Sequence, residues 1–433
     1  MKIGFLKFKL TQVIFSFFIV MILIIVSVCL YTDRKKDQAR ASGNISVQLY
    51  DLPSQAKCLP GEITTNGNYI FWIDSRNFPS TQIRGFNIAQ SQELTVSSSG
   101  NPIAEINCNA TCVVWIDNRG ANPGIYGYNI STQQEFFIQS QPETGMINGL
   151  NISNNYLFWT EYMSIKGYNF SNSQVFTVNI GQNDQWKPQQ SGTYVAWERL
   201  SQDNMMVKDI LFQDIMNQNT YTVTFNPLLT ESALAVDGEY LSYLSRDDLT
   251  TLTPTGILNF YHMTNQSLTK AVSLVDQNTT ITPVKQVVKL GNLSYDPSLH
   301  AIVCSVTGNQ SYWQLHPYII DPKLGSNDPP VILPITPTLP IGDFIQWIPE
   351  CAPNALDYLF ISHGDSTADS VYTKLSFYHL STNTVYPIIS SNTAFQTSKK
   401  ALTVDNQIFL PITLKSVSNR LNVPKYAVVS FDN

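Results

Sequence analysis

The stretch FWIDSRN at residues 71–77 returns almost unchanged as VWIDNRG at residues 114–120. The residues around both stretches repeat as well. Each copy contains a turn, an apolar strand that ends in Trp-x-Asp, a polar loop, a second strand, a short turn and a third strand. These strands read YIFWID, QIRGFNI and ELTVS in the first copy, and CVVWID, GIYGYNI and EFFIQ in the second. The pattern indicates a fold built from repeated units.

Six further copies follow, two of them around Trp159 and Trp197 and the others weaker. Steps of 43, 44 and 38 residues separate Trp72, Trp115, Trp159 and Trp197. A short apolar piece such as PIAEI or FIQWI precedes each copy and adds a fourth strand. Repeats of four antiparallel strands every ~40–50 residues are typical of β-propeller blades. We therefore predict an all-β protein, a β-propeller of eight blades, or of seven if one weak copy is an insertion.

The apolar strand YIFWID predicts packing on both of its faces. Ile70, Trp72 and Asp74 point to one face of the sheet and the three intervening residues to the other, because side chains alternate along a strand. Both faces are therefore apolar, and a strand of this kind must be covered on both sides. A blade that lies between two neighbouring blades meets this requirement.

The Asp of the repeated motif ends the apolar strand. We expect its carboxylate to accept hydrogen bonds from the amides of the following turn and to pair with the Arg two positions later. A catalytic site needs groups that converge on one point, whereas the two Asp residues would lie in different blades. We interpret the motif as structural, with the repeat residues Trp72, Asp74, Arg76, Trp115, Asp117, Arg119, Trp159 and Trp197.

The two ends of the repeat region predict how the ring closes. SVQLYDLPSQ at residues 46–55 has the pattern of a late blade strand but precedes the first complete copy, and the last copy ends at VVSFDN without its final strand. We predict that the two parts complete one blade, which removes exposed strand edges.

The repeat resembles the TolB-like β-propeller superfamily, whose pattern is Y-[VL]-x-W-x-D-x-R-x-G followed by I-Y-G-Y-[DN]-[LI]-S-T. The best match is CVVWIDNRGANPGIYGYNIST, and the motif is recognisable over residues 58–224. The resemblance implies an architecture and no activity. A layout of one N-terminal membrane anchor, described below, followed by a propeller is also similar to the front half of dipeptidyl-peptidase-IV-like proteins. The sequence contains no G-x-S-x-G motif, which carries the nucleophilic Ser of the hydrolase domain in those proteins. A peptidase activity is therefore not implied.

The N-terminal region predicts a membrane anchor. VIFSFFIVMILIIVSVCL at residues 13–30 contains no charged residue and nearly spans a ~30 Å hydrocarbon layer as a helix. A cleaved signal peptide is less favoured, because the first A-x-A pattern lies far beyond this stretch. We expect a cytoplasmic tail at 1–10, a single transmembrane signal-anchor helix at 11–31, a charged linker at 32–44 and an extracytoplasmic propeller at 45–433.

The charge of the predicted body excludes nucleic acid as a partner. Residues 41–433 contain 19 basic and 30 acidic residues, a net charge of −11, and offer no basic patch to phosphates. The favoured function is a membrane-tethered module that binds a protein or glycan through loops on one ring face. The alternatives are a hydrolase or lyase with its site at the central channel, and a structural part of a surface assembly. No cofactor is expected, and catalysis is the less favoured interpretation.

Few residues suggest a chemical site. His363 ends an apolar strand and is followed by Gly364 and Asp365, so this pair could bind a metal or assist proton transfer, but it is a weak candidate. Cys108 and Cys112 flank a predicted tight hairpin and could form a disulfide. Nine Asn-x-Ser/Thr sequences agree with an exported body, at Asn44, Asn109, Asn129, Asn151, Asn169, Asn265, Asn278, Asn292 and Asn309. A glycan on Asn109 would be difficult to combine with the small disulfide ring.

Overall fold

The computed structural model describes a large part of the chain after residue 44. The described residues are 45–53, 55–97, 102–143, 146–181, 183–201, 207–224, 230–237, 239–246, 256–273, 289–296, 301–307, 315–320, 331–332, 343–348, 358–365, 372–379, 384–389, 395–397, 402–404, 407–415 and 422–431. Among them, no helix has the length and hydropathy needed to cross a membrane. The predicted tail, anchor and linker lie outside the described residues.

Every regular element in these ranges is a β-strand, as the repeat predicts. The first seventeen are β1 (Ile45–Asp51), β2 (Cys58–Thr65), β3 (Tyr69–Asp74), β4 (Gln82–Asn87), β5 (Gln92–Thr95), β6 (Pro102–Cys108), β7 (Cys112–Asp117), β8 (Gly124–Asn129), β9 (Gln134–Ser140), β10 (Ile147–Ile152), β11 (Tyr156–Glu161), β12 (Ser164–Asn169), β13 (Gln174–Ile180), β14 (Gln185–Ser191), β15 (Tyr194–Leu200), β16 (Lys208–Asp214) and β17 (Asn219–Thr222).

The later strands follow the same sequence of short elements. They are β18 (Thr230–Asp237), β19 (Tyr240–Arg246), β20 (Gly256–His262), β21 (Ser267–Ser273), β22 (Lys289–Asp296), β23 (Ala301–Thr307), β24 (Leu315–Ile320), β25 (Val331–Ile332), β26 (Asp343–Ile348), β27 (Tyr358–Asp365), β28 (Tyr372–His379), β29 (Thr384–Ile389), β30 (Phe395–Thr397), β31 (Leu402–Val404), β32 (Gln407–Lys415) and β33 (Asn422–Phe431).

Consecutive strands pair into antiparallel sheets. Six sheets have four strands each, and we number them in chain order: β6–β9 (second sheet), β10–β13 (third), β14–β17 (fourth), β18–β21 (fifth), β22–β25 (sixth) and β26–β29 (seventh). A nine-stranded sheet contains β2–β5, called the first sheet here, together with β1 and β30–β33. Its two parts meet where Cys58 of β2 pairs with Asn422 of β33.

The first strands of successive sheets lie against one another. The contacts run from β2 to β6, β10, β14, β18, β22 and β26, and β2 also contacts β32. Between β6 and β10, Asn107 Nδ2 donates to Leu150 O at 3.4 Å and Asn109 Nδ2 donates to Ser153 O at 2.7 Å, so these two first strands run in the same direction. In each sheet, the first strand begins and the second strand ends at the same end, which we call the upper end. The opposite end is called the lower end.

A second kind of contact joins the first three sheets along their first strands. A β-bulge interrupts the pairing of β2, β6 and β10 with their second strands. Glu62 Oε2 accepts the backbone N–H of Ile106 at 3.1 Å, and Glu105 Oε2 accepts that of Leu150 at 2.7 Å. Glu105 has a φ of 57°, a conformation that is uncommon for a residue with a side chain. The carboxylates thus connect each sheet to the next.

The aromatic strands fill the spaces between sheets, which confirms the predicted packing on both faces. Trp72, Trp115, Trp159 and Trp197 are fully buried at matching positions of β3, β7, β11 and β15. Alternate residues of β3 belong to different clusters: one contains Ile70, Trp72, Phe409 and Val428, and the other contains Phe71, Ile73, Val113 and Trp115. Each Trp therefore packs against the sheet that precedes it.

The predicted closing strand is present. β1 pairs with β33, so a strand from the start of the repeat region joins strands from its end. The rings of Tyr50 and Tyr426 stack with centroids 5.1 Å apart, and Lys425 Nζ forms an ion pair with Asp51. The first residue of β33 pairs with the start of β2, so β33 begins at the upper end. Lys425 lies near this start and contacts Asp51 at the end of β1. β1 therefore starts at the lower end and ends at the upper end.

Candidate functional site

The motif of the first sheet forms a polar network at the upper end. Asp74 Oδ1 accepts hydrogen bonds from the indole N–H of Trp72 and from the backbone N–H of Lys57, both at 3.2 Å. Arg76 Nε lies 2.5 Å from Asp74 Oδ2, and the other end of the guanidinium pairs with Glu93 at 2.6 Å. The buried carboxylate is therefore neutralised and hydrogen-bonded, as a buried charge must be.

The motif of the second sheet forms the same network. Asp117 Oδ2 accepts the indole N–H of Trp115 at 3.0 Å and a guanidinium N–H of Arg119 at 2.6 Å. Arg119 also pairs with Glu135 and lies 3.6 Å from the ring centroid of Tyr126. Burial of Arg119 would lower its pKa, but the hydrogen bonds and charges of Asp117 and Glu135 raise the pKa above its ordinary value.

These networks show how the motif residues are used. The predicted pairs Asp74–Arg76 and Asp117–Arg119 are present. Asp74 accepts the backbone N–H of Lys57, just before β2, a partner that the sequence did not predict, and bonding by amides of the following turn stays a prediction. The indole donor was also missed, although the i, i+2 spacing of Trp and Asp places both on one face of the strand. The carboxylates are held by the protein itself.

The third and fourth sheets change the motif. In the third sheet, Glu161 accepts the indole N–H of Trp159 at 3.4 Å and pairs with Lys166 at 3.3 Å. In the fourth sheet, the residue two positions after Trp197 is Arg199, which pairs with Asp209 at 3.2 Å. Among the described residues, the indole Nε1 of Trp197 has no hydrogen-bond partner. The carboxylate that accepts the indole N–H in the first three sheets is therefore absent from the equivalent position of the fourth sheet.

Four large apolar side chains are exposed at the upper end of the first three sheets. Phe78 is 66 % exposed between β3 and β4, Met146 is 67 % exposed just before β10, Tyr162 is 55 % exposed between β11 and β12, and Ile180 is 76 % exposed at the end of β13. We call these residues the upper apolar set. Sequence analysis missed them, because single apolar residues in polar loops have no periodicity.

His363 and Asp365 lie in the backbone of β27, at its upper end. Their backbone positions are opposite Ile345 and Asp343 of β26. Their side chains lie outside the described part of the structure, so a role of this pair in binding or proton transfer stays a prediction. Among the residues that the structure describes, no group of three His, Cys, Asp or Glu side chains could hold a metal ion.

The predicted disulfide between Cys108 and Cys112 is not formed. A two-residue hairpin loop pairs Cys108 with Val113, while the N–H of Asn109 donates to the carbonyl of Cys112. Because the cysteines are not opposite each other, Cys108 packs with Trp115 on one face and Cys112 with Val114 on the other. Burial raises the pKa of the Cys112 thiol to about 12.

Several of the predicted glycosylation sequences belong to tight turns. Asn109 is buried, and its amide donates to Ser153 O and accepts the N–H groups of Thr111 and Cys112, so a glycan there would break this turn. Asn129 and Asn169 each accept the N–H of the Ser two residues later, at 3.0 and 2.9 Å. Such Asn-x-Ser turns connect third to fourth strands, which explains the sequence without a glycan. Asn44, Asn278 and Asn309 lie outside the described residues.

Comparison with known proteins identifies the fold. No family model and no curated protein matches this chain. A dipeptidyl peptidase 4 from Porphyromonas gingivalis is similar with a TM-score of 0.52 and 10% identity, over 88% of this chain and 59% of that chain. An oligogalacturonate lyase from Vibrio parahaemolyticus has a TM-score of 0.49 and 9% identity, over 90% and 98%. The β-propeller domain of the Trilobed protease from Pyrococcus furiosus has a TM-score of 0.48 and 9% identity, over 78% and 99%.

The similarity confirms the predicted architecture and nothing finer. These structural neighbours are β-propeller proteins, and the chain spans 59% of the length of the peptidase. At identities of 9 to 10%, the likeness concerns the fold alone. The chain is a β-propeller, and its function has to be argued from its own residues.

Proposed function

We propose that this β-propeller is a binding module that recognises a protein partner through the upper end of its first three sheets. The upper apolar set carries the proposal. Exposed Phe, Met, Tyr and Ile side chains would be stabilised by burial, at roughly 25 cal/mol per Å² of apolar surface removed from water. Aromatic residues and Met are also enriched at the cores of protein interfaces.

The rigidity of the sheets below supports this proposal. Phe78 lies on the loop that follows the Asp74–Arg76 network, and Tyr162 directly follows Glu161. Loops that a rigid scaffold positions are common binding elements. Other exposed apolar residues are more dispersed. Met216 and Leu268 lie at the lower end of the fourth and fifth sheets, and Phe137 lies on an outer strand.

The alternative of a hydrolase or lyase site at the channel receives less support from the described residues. Glu62 and Glu105, the acids in the first strands of the first and second sheets, accept backbone N–H groups of the next sheet. Asp74 and Asp117 are held by Trp and Arg of their own sheets. A carboxylate whose oxygens are held by such bonds stabilises the fold, and this favours a structural role over that of a general acid or base.

The membrane anchor and the blade number belong to the same proposal. Its support for eight blades is the six four-stranded sheets, the first sheet, and the set formed by β1 with β30–β33. Its support for an anchor is the uncharged stretch at 13–30, which precedes β1 by a short linker. The body would then lie outside the cytoplasm with its upper end free to bind.

A surface variant of the full chain tests the proposal. Phe78→Ser, Met146→Ser, Tyr162→Ser and Ile180→Ser would be combined and compared with a control that combines Met216→Ser and Leu268→Ser. Partners would be captured by photo-crosslinking on intact cells and identified by mass spectrometry. We expect a partner captured by the wild type and the control but at least tenfold less by the upper variant, because hot-spot truncations each cost over ~1 kcal/mol. Equal capture by a folded upper variant would refute the proposal.

A further inference from the structure

Among the residues that the structure describes, two buried polar atoms at the interface between the third and fourth sheets, besides Nε of Arg199, have no hydrogen-bond partner. They are the indole Nε1 of Trp197 and the hydroxyl Oγ1 of Thr160. Both side chains are almost completely inaccessible to solvent. Buried polar groups of native proteins are nearly always hydrogen-bonded, so an unpartnered pair at one interface indicates an absent acceptor.

The two side chains belong to faces that meet each other. Thr160 shares its strand face with Phe158, because the two residues are two positions apart in β11. Phe158 packs against Trp197 in the cluster between the third and fourth sheets. Thr160 therefore faces the fourth sheet, and Trp197 and Arg199 share the face of β15 that is turned toward the third sheet.

The preceding sheets show which group normally accepts the indole N–H. Trp72, Trp115 and Trp159 each donate to a carboxylate two residues later in the same strand. In the fourth sheet this position is Arg199, which is a cation and a donor and has no acceptor. An indole N–H and a hydroxyl thus lie without an acceptor beside Arg199, whose guanidinium pairs with the buried carboxylate of Asp209 instead of an acid on its own strand.

We infer that the upper end of this junction is a subsite for a carboxylate carried by an acidic residue of the partner. The inference rests on the proposed function, since it names the chemistry of the partner at that end. The two oxygens of a carboxylate can accept hydrogen bonds from Trp197 Nε1 and Thr160 Oγ1 and form an ion pair with Arg199. The bound group would take the place that Asp74 and Asp117 have in their own sheets.

The surroundings of the junction fit an acidic peptide. The side chain of Arg199 is 14 % exposed, although its Nε is buried. Tyr162 and Ile180 of the upper apolar set are exposed at the same end of the third sheet. The chain around Ile180 lies beside the fourth sheet, because Asn179 donates to Gln185 of β14. The loop of Tyr162 lies next to it, because the N–H of Gly181 donates to the carbonyl of Met163. The two apolar side chains could contact the residues beside the acidic one.

Titration of the full chain in detergent, followed by the ¹H–¹⁵N signals of the Trp indoles, tests the inference. The probes are sodium acetate and the blocked tripeptide Ala-Glu-Ala, with Ala-Gln-Ala as the uncharged control. The Trp197 signal is assigned from Trp197→Phe, and Trp159, whose indole is already bonded to Glu161, serves as the internal reference. We expect a saturable shift of the Trp197 signal with both carboxylates, at least tenfold tighter for the peptide.

Two variants separate a ligand site from a merely polar interface. Arg199→Asn supplies an internal acceptor at the position equivalent to Asp117, and Thr160→Val removes the hydroxyl. Each variant should weaken carboxylate binding at least tenfold. The control Lys166→Gln in the third sheet should leave this binding unchanged. Melting temperatures confirm that the variants are folded. A Trp197 signal that moves with neither carboxylate, as expected if only water is bound there, would overturn the inference. Equal affinity for acetate and peptide would overturn the assignment to a partner residue. The probes require no identified partner, so these outcomes are independent of the crosslinking result.

Discussion

The second and fourth sheets each have a fully buried Trp at the same position of their second strand, but the polar groups beside it differ. In the second sheet, Asp117 accepts hydrogen bonds from both Trp115 and Arg119. In the fourth sheet, Arg199 occupies the acid position and the indole of Trp197 is left without an acceptor. The comparison separates two roles of the motif: the Trp packs one sheet on another, and the residue two positions later decides whether the polar network is complete.

Replacement of the Trp by Ala should have the largest effect and tests the shared packing role. Trp115→Ala and Trp197→Ala should each lower the free energy of unfolding by about 3–5 kcal/mol, because both side chains are fully buried between sheets. Chemical denaturation with guanidinium measures both values. A cost below ~1 kcal/mol for either variant would mean that this Trp does not hold two sheets together.

Asp117→Asn should reduce stability by about 1–3 kcal/mol and leave partner binding unchanged. The amide oxygen can still accept the indole N–H, but Arg119 loses one of its two charged partners, the carboxylate at 2.6 Å. The unfolding free energy and the crosslinking assay give the two readouts. Loss of binding in a variant with a normal melting temperature would contradict the internal role of this acid.

Replacement of the Trp by Phe keeps most of the packing and tests the hydrogen bond. Trp115→Phe should cost about 1 kcal/mol more than Trp197→Phe, because only Trp115 has an indole hydrogen bond to lose. The two variants are matched controls for each other, since both side chains are fully buried. Equal unfolding free energies would show that the indole of Trp197 has an acceptor in solution.

The alkaline stability of the protein should reflect the buried thiol of Cys112 in the second sheet, in addition to that of Cys58 in the first. Cys112 stands where the fourth sheet has Tyr194, and its pKa is raised by burial to about 12 from an ordinary value of 9.0. A raised pKa contributes stability that is complete below pH 9.0 and is lost as the pH rises toward 12. We expect a loss of about 1 kcal/mol by pH 9.5, and a smaller loss in Cys112→Ala. Identical pH profiles of the melting temperature would contradict this.

Much of the fold was predictable from residue patterns, because the packing of the sheets repeats in the sequence. The spacing of Trp72, Trp115, Trp159 and Trp197 indicates the sheets, and the alternation in YIFWID indicates their coverage on both faces. The bulges of the first strands were not predictable, because a bulge changes pairing without a fixed residue type. The same limit explains the wrong disulfide: one residue of loop length decides whether Cys112 or Val113 is opposite Cys108.

The candidate site was much less predictable. WER at residues 197–199 looks like one more copy of the motif, and the repeated Trp draws attention away from the change of an acid to Arg199. Only the neighbouring sheet reveals that Thr160 has no partner either. The exposure of Phe78 or Ile180 depends on how the loop is placed above the sheet, and this is not encoded in any periodic pattern.

The direction of β1 has a mechanical consequence. The strand enters at the lower end and runs alongside β33 to Asp51 at the upper end. In the proposed function, a pulling force between a membrane anchor that precedes β1 and a partner bound at the upper end would act parallel to these strands. The hydrogen bonds between β1 and β33 would then be sheared together instead of being broken one after another, so the seam that closes the ring would resist tension between membrane and partner.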